Sequence, residues 1–168
     1  MKRALTLLVA CLLLSVPAMA AEKGPGPDPA ERKAKKVVAS PNAPPAIGPY
    51  SQAIQSGPFL FLSGSLGMDP ASGQIVAGGV AAETERALDN LAAVLKAAGA
   101  SFDNVVKTTI FLTDMADFQT VNGIYAKRFS DAPPARSTVA VKELPRNGKV
   151  EIEAIAVVFG KARGEKKK

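Results

Sequence analysis

Arg136 stands in the stretch Pro133-Pro134-Ala135-Arg136-Ser137-Thr138-Val139-Ala140-Val141, where two prolines lead into the start of an alternating run. A guanidinium is a planar fork that matches a carboxylate in two parallel hydrogen bonds. Further along, Glu151 and Glu153 alternate with Val150, Ile152 and Ala154, so two carboxylates share a strand face with Ile155, Val157 and Phe159. Arg136 and Glu151 are therefore the candidates for a charged pair in an apolar setting. Such a pair reads either as a structural salt bridge or as an anion-binding site. Three weaker candidates join them. In Ser63-Gly64-Ser65 the glycine would let backbone N–H groups approach a ligand, although most such segments are only turns. Tyr50 follows the rigid Gly48-Pro49, which could aim its hydroxyl; a core tyrosine is the default. Asn122 lies one turn from Phe118 and Tyr125, on or beside an apolar helix face, where an amide needs partners.

Two absences narrow the chemistry. The chain has no histidine, and its single cysteine is Cys11. Ser-His-Asp triads, Cys-His pairs and histidine metal sites are thereby excluded. No phosphate loop or dinucleotide fingerprint is present, and no cofactor or metal is expected. What remains is Arg, Lys, Asp, Glu, Tyr, Ser, Thr, Asn, backbone amides and water.

These residues must be delivered to the right compartment and held by a fold. The opening, MKRALTLLVACLLLSVPAMA, pairs Lys2 and Arg3 with an apolar run from Ala4 to Val16, shorter than the ~20 residues that a membrane helix needs. Ala18-Met19-Ala20 fits the small-x-small cleavage rule. Residues 1–20 are expected to be a secretory signal cleaved after Ala20, giving a periplasmic or secreted protein without a stable membrane anchor. The alternatives are a retained anchor and lipid attachment at Cys11. Residues 21–40 read as a flexible linker rich in Pro and Lys, 41–160 as the single domain and 161–168 as a basic tail. The net charge of +6 invites a nucleic-acid reading, but residues 37–160 hold nine basic against 11 acidic residues. The positive charge is in the two ends, which argues against nucleic acid as the partner.

Within the domain, Tyr50–Ser56 and Phe59–Leu62 read as strands around the Gly57-Pro58 turn, the second of them buried. A helix is expected from about Ala81 to Ala98, with one apolar stripe, Glu83 and Glu85 in its first turns and Gly99 as its stop. Val105–Thr113 is a strand. Asp114 is the expected cap of a second helix carrying Phe118, Val121, Tyr125 and Phe129. Arg136–Val141 and Lys149–Phe159 complete the set around a turn at Leu144–Gly148. Sequential strands tend to pair, so these last two are expected to be neighbours, as an antiparallel hairpin or as parallel strands of a larger sheet. The fold class is α+β, with helices on one face of a mixed sheet.

Several ordered motifs resemble the RidA (YjgF) family of enamine/imine deaminases. They are Asn42-Ala43-Pro44 with Ile47-Gly48-Pro49-Tyr50-Ser51-Gln52-Ala53, Ser63-Gly64, Met68-Asp69-Pro70 with Gly73, and Val105-Val106-Lys107-Thr108-Thr109. Asp117-Phe118 with Val121-Asn122 and Tyr125, Pro134-Ala135-Arg136-Ser137, and Val150-Glu151-Ile152-Glu153-Ala154 extend the likeness over residues 41–158. The resemblance implies a chorismate-mutase-like fold with two helices on one sheet face, and a homotrimer with sites between subunits. It assigns Arg136 to the substrate carboxylate and Glu151 to the hydrolytic water, with Tyr50 as the third catalytic residue, and Ser63, Gly64, Asn122 and Thr138 to substrate binding. Thr138 stands where the family often has cysteine, and Ser65 where many members have glutamine. The implied reaction is hydrolysis of short 2-imino or enamino acids to 2-oxo acids and ammonia, with a small-molecule imino acid as partner and no cofactor. A trimer that only binds small carboxylates is the alternative, followed by an RNA-cleaving member of the family. The residue set suits the reaction. An imine carbon is already electrophilic, and positioning with electrostatics can supply roughly 7–11 kcal/mol.

Overall fold

The computed structural model describes residues 35–129 and 132–158. The expected signal sequence, most of the linker, Phe159 and the basic tail lie outside them. The elements are β1 (Lys36–Val38), β2 (Ala53–Ser56), β3 (Phe59–Leu66), α1 (Gly79–Ala97), β4 (Val105–Leu112), α2 (Phe118–Tyr125), β5 (Ala135–Ala140) and β6 (Val150–Val157). They form one six-stranded sheet in the order β1-β2-β3-β6-β4-β5. Only β4 and β5 run parallel; every other pair is antiparallel.

The core lies between one sheet face and the two helices. Leu60 and Leu62 of β3, Ile110 and Leu112 of β4 and Val150, Ile152, Ala154 and Ala156 of β6 are buried. They meet the α1 stripe Ala87, Leu88, Leu91, Val94 and Leu95, together with Val121, Ile124 and Tyr125 of α2. Each fully buried leucine or isoleucine contributes about 1.5–3 kcal/mol relative to exposure. After α1 the chain turns through Gly99 at φ +74°, a conformation that favours glycine, and Ala100 N donates to Leu95 O at 2.9 Å. The alternate positions Phe59, Phe61, Thr109, Val139 and Glu153 face away from the helices, and Phe59 and Phe61 remain 46% and 45% exposed.

Several expectations are corrected. Lys36–Val38, assigned to the linker, pairs with Gln55–Ala53 as an edge strand. Tyr50–Gln52 is loop, and β2 begins at Ala53. The strand at Phe59 runs on to Leu66 and is covered on one face only. Asp114 caps a short 3-10 turn, Met115–Asp117, through Ala116 N at 2.8 Å, and α2 starts after it. Glu83 does more than complement a helix dipole: it is buried, and its Oε2 accepts from Lys149 N at 2.7 Å, tying α1 to the start of β6.

The largest correction concerns β5 and β6, which do not pair at all. β6 inserts between β3 and β4, while β5 lies parallel beside β4 at the edge. A parallel neighbour needs a crossover, and α2 supplies it between β4 and β5. The strand buried on its Val150–Ala156 face takes the centre; β5, exposed along much of its length, takes the edge.

Candidate functional site

The register puts Arg136 and Glu151 on opposite sides of the sheet. Arg136 is level with Thr108 and, beyond it, Ala154, two residues buried by the helices. Glu151 is level with Phe111, which in turn is level with Val139 on the other face. The expected Arg136–Glu151 pair therefore does not form within one chain. Among the described residues the ion pairs belong to Arg128, which reaches Glu85 at 3.0 Å and Asp89 at 2.7 Å and so links α2's end to α1.

The candidate residues fall into two groups. In the first, the Arg136 guanidinium lies over the Tyr125 ring, 4.9 Å from its centroid, and 5.8 Å from that of Phe118. Cation–π attraction holds the fork in place without using its N–H donors on a carboxylate. Asn122, Phe129, Pro133 and Pro134 complete this cleft, so Asn122 lines a cavity. The Tyr125 hydroxyl shares a 2.7 Å hydrogen bond with Thr108. Burial raises the Tyr125 pKa above its usual value, opposed by that bond and by the nearby positive charge of Arg136. Two residues beyond Arg136 on the same side, Thr138 has a buried hydroxyl oxygen with no hydrogen-bond partner among the described residues.

The second group gathers at β3, β6 and the loop before β2. Between Leu62 and Ser65 the β3–β6 register slips, so Ser63 and Gly64 form a bulge. The Glu151 carboxyl lies in the space where a side chain at residue 64 would begin, so any residue larger than glycine there would displace it. Burial, and then the charge of Glu153, raise the Glu151 pKa above its ordinary 4.5. A carboxyl shifted this way exchanges protons nearer to neutrality. Tyr50, Ser63 and Gly64 line a cavity of about 60 Å³ with Asn90, Leu91 and Val94 of α1. The Ser63 hydroxyl donates to Ser51 O at 2.7 Å, which leaves its oxygen free only to accept. Tyr50 is 48% exposed, not a core residue, and its hydroxyl accepts from Ile47 N at 3.2 Å.

Sequence reasoning placed Tyr125 on an apolar helix face but missed it as the platform under Arg136. The signal was the Phe118–Tyr125 spacing; the missing fact was the strand that this face covers. Gln52 was also overlooked as a polar residue. Its carboxamide makes four hydrogen bonds to Ser40, Ala43 and Pro44.

A six-stranded mixed sheet with two helices on one face, an arginine cleft on the helix side and a glycine-seated carboxyl on the other define an α+β protein of the YjgF type. Residues 40–158 match the family described as Endoribonuclease L-PSP. The chain is 55% identical over 123 residues to a mouse protein named 2-iminobutanoate/2-iminopropanoate deaminase, covering 73% of this chain and 91% of that one. Its fold is similar to the crystal structure of RidA from the Antarctic bacterium Psychrobacter, with a TM-score of 0.71, 38% identity and coverage of 73% and 99% of the two chains. The crystal structure of the Escherichia coli YjgF gene product gives a TM-score of 0.68 at 44% identity, over 73% of this chain and 98% of that one. The chain belongs to the RidA/YjgF/L-PSP family.

Proposed function

We propose that the protein hydrolyses short 2-imino and enamino acids to 2-oxo acids and ammonia. The observation that carries this reading is Arg136: a guanidinium stacked at a cleft, with no carboxylate partner among the described residues. It suits the carboxylate of a small 2-imino acid. The name of the mouse relative supplies the same substrate class.

In this mechanism Arg136 fixes the substrate carboxylate and Asn122 borders the same cleft. Water adds to the carbon of the protonated imine, and its proton passes to the Glu151 carboxylate. A carbinolamine results. Glu151 then returns the proton to the amine nitrogen, the C–N bond breaks, and the carbonyl forms as the hydroxyl proton leaves with ammonia as ammonium. The raised pKa of Glu151 favours the first transfer, from water to the carboxylate.

Arg136 and Glu151 lie on opposite faces of one sheet, so a complete site needs a second subunit. We take the assembly to be a homotrimer, with the arginine cleft of one subunit meeting the Glu151 group of the next. Support comes from the open sheet face, where Phe59, Phe61 and Val139 are exposed. Export, with cleavage after Ala20, is part of the same proposal. It rests on the N-terminal pattern alone.

The test is ammonia release from 2-iminopropanoate and 2-iminobutanoate generated in place by an amino-acid oxidase. Pyruvate binding and RNA cleavage are measured on the same sample. Ammonia release above the spontaneous rate is expected. Pyruvate binding without turnover would favour a carboxylate-binding trimer, and RNA cleavage alone would favour the activity named in the family description.

A further inference from the structure

The segment from Ser40 to Pro49 has no regular secondary structure, yet it forms the wall that carries Tyr50. Among the described residues, every hydrogen bond leaving this segment ends on the Gln52 side chain or on Tyr50. Gln52 Oε1 accepts from Ser40 N at 2.6 Å. Its Nε2 donates to Pro44 O at 2.7 Å, Ser40 O at 3.2 Å and Ala43 O at 3.3 Å. Two N–H protons thus serve three carbonyls, and the amide has only one workable orientation, oxygen toward the N–H and nitrogen toward the carbonyls. The main chain here reaches the other way. Ser63 N donates to Gln52 O at 3.0 Å, and Ser63 Oγ to Ser51 O. One residue therefore joins the irregular wall to the bulge that seats Glu151.

We infer that Gln52 is a positioning residue: its carboxamide holds residues 40–50, and with them Tyr50, in register with the Ser63-Gly64 bulge. The kinetic part of this inference rests on the deaminase reading; the structural part does not. The chemistry singles out glutamine. Gln52→Glu preserves shape but turns an acceptor toward three carbonyl oxygens, and Gln52→Ala removes all four bonds.

The experiment compares the full-length protein with Gln52→Ala, Gln52→Glu, Tyr50→Ala and the double variant Tyr50→Ala/Gln52→Ala. Hydrogen exchange is followed by peptide, together with kcat/KM for 2-iminobutanoate. Protection in residues 40–50 should fall at least about tenfold in both Gln52 variants while β3 and β6 stay protected. kcat/KM should fall at least about tenfold, and Gln52→Ala should add little once Tyr50 is already alanine. Unchanged exchange in 40–50 would overturn the inference. So would exchange rising equally through β3 and β6, since that marks general destabilisation, or fully additive kinetic losses. Should the wild-type protein release no ammonia, the deaminase reading fails, and the exchange result alone decides the role of Gln52.

Discussion

In the proposed reaction, environment divides the work between Arg136 and Glu151. The arginine is stacked on Tyr125 and has no carboxylate partner among the described residues, so under the proposed reading its removal should cost function more than stability. Arg136→Ala is expected to lower kcat/KM by about 2–5 kcal/mol, roughly thirtyfold to several thousandfold. Stability should change by only the ~0.5–1 kcal/mol typical of a cation–π contact at an accessible site. Arg136→Lys should also lose most activity, because the charge remains and the fork does not. Turnover and melting temperature measured on one sample decide the matter: near-normal turnover removes the catalytic role, and an unfolded protein favours a structural one. Glu151 gives a pH signature. Its raised pKa means that the folded protein holds this proton more tightly than the unfolded chain. As pH rises from 4.5 through the folded value, the native state loses stability, and the loss is complete above that window. Glu151→Gln lacks the titration. Its melting temperature should exceed that of the wild type at pH 7, and the difference should vanish toward pH 4, while turnover falls about 100- to 10,000-fold. A pH-independent offset would refute this account.

Two glycines on or beside β3 separate site from scaffold at the level of elements. A side chain at residue 64 would meet the Glu151 carboxyl, the movable end of a flexible group. At residue 67 it would meet the Glu83 backbone within α1, which cannot swing aside. Gly64→Ala should fold with a melting temperature near that of the wild type yet lose about 100-fold in kcat/KM, because Glu151 is displaced. Gly67→Ala should instead cost about 1–3 kcal/mol of stability by forcing α1 from the sheet. Thermal scans beside kinetics distinguish the two outcomes. A large loss of stability in Gly64→Ala would mean that the bulge is scaffold and not site.

For the whole molecule, the uncovered sheet face and the proposed division of the site lead to one expectation. Light scattering at micromolar concentration should give three times the chain mass. Phe61→Asp, which places a charge on that face, should give monomers without turnover as the two half-sites separate. A wild-type monomer that is fully active would contradict the assembly. Export is checked by mass spectrometry of the purified protein: the expected N-terminus is Ala21. An intact Met1 in the soluble protein, or lipid on Cys11, would defeat that expectation.

Local pattern determined much of this protein. The α1 stripe, the β-branched run of β4 and the alternation of β6 are each written in consecutive residues, because burial on one face imposes its own period. The residue types available without histidine were legible in the composition, and Arg136 and Glu151 became candidates by motif alone. The sheet order was different. β5 and β6 are adjacent in the chain but separated in the sheet, since pairing is decided by which strand buries its face under both helices and which can remain at an edge. That choice put Arg136 and Glu151 on opposite faces and set Tyr125 beneath the guanidinium. It also seated Glu151 over Gly64 and let Glu83 of α1 hold the first residue before β6. These are contacts between residues far apart in sequence, which exist only once the sheet has closed around its core.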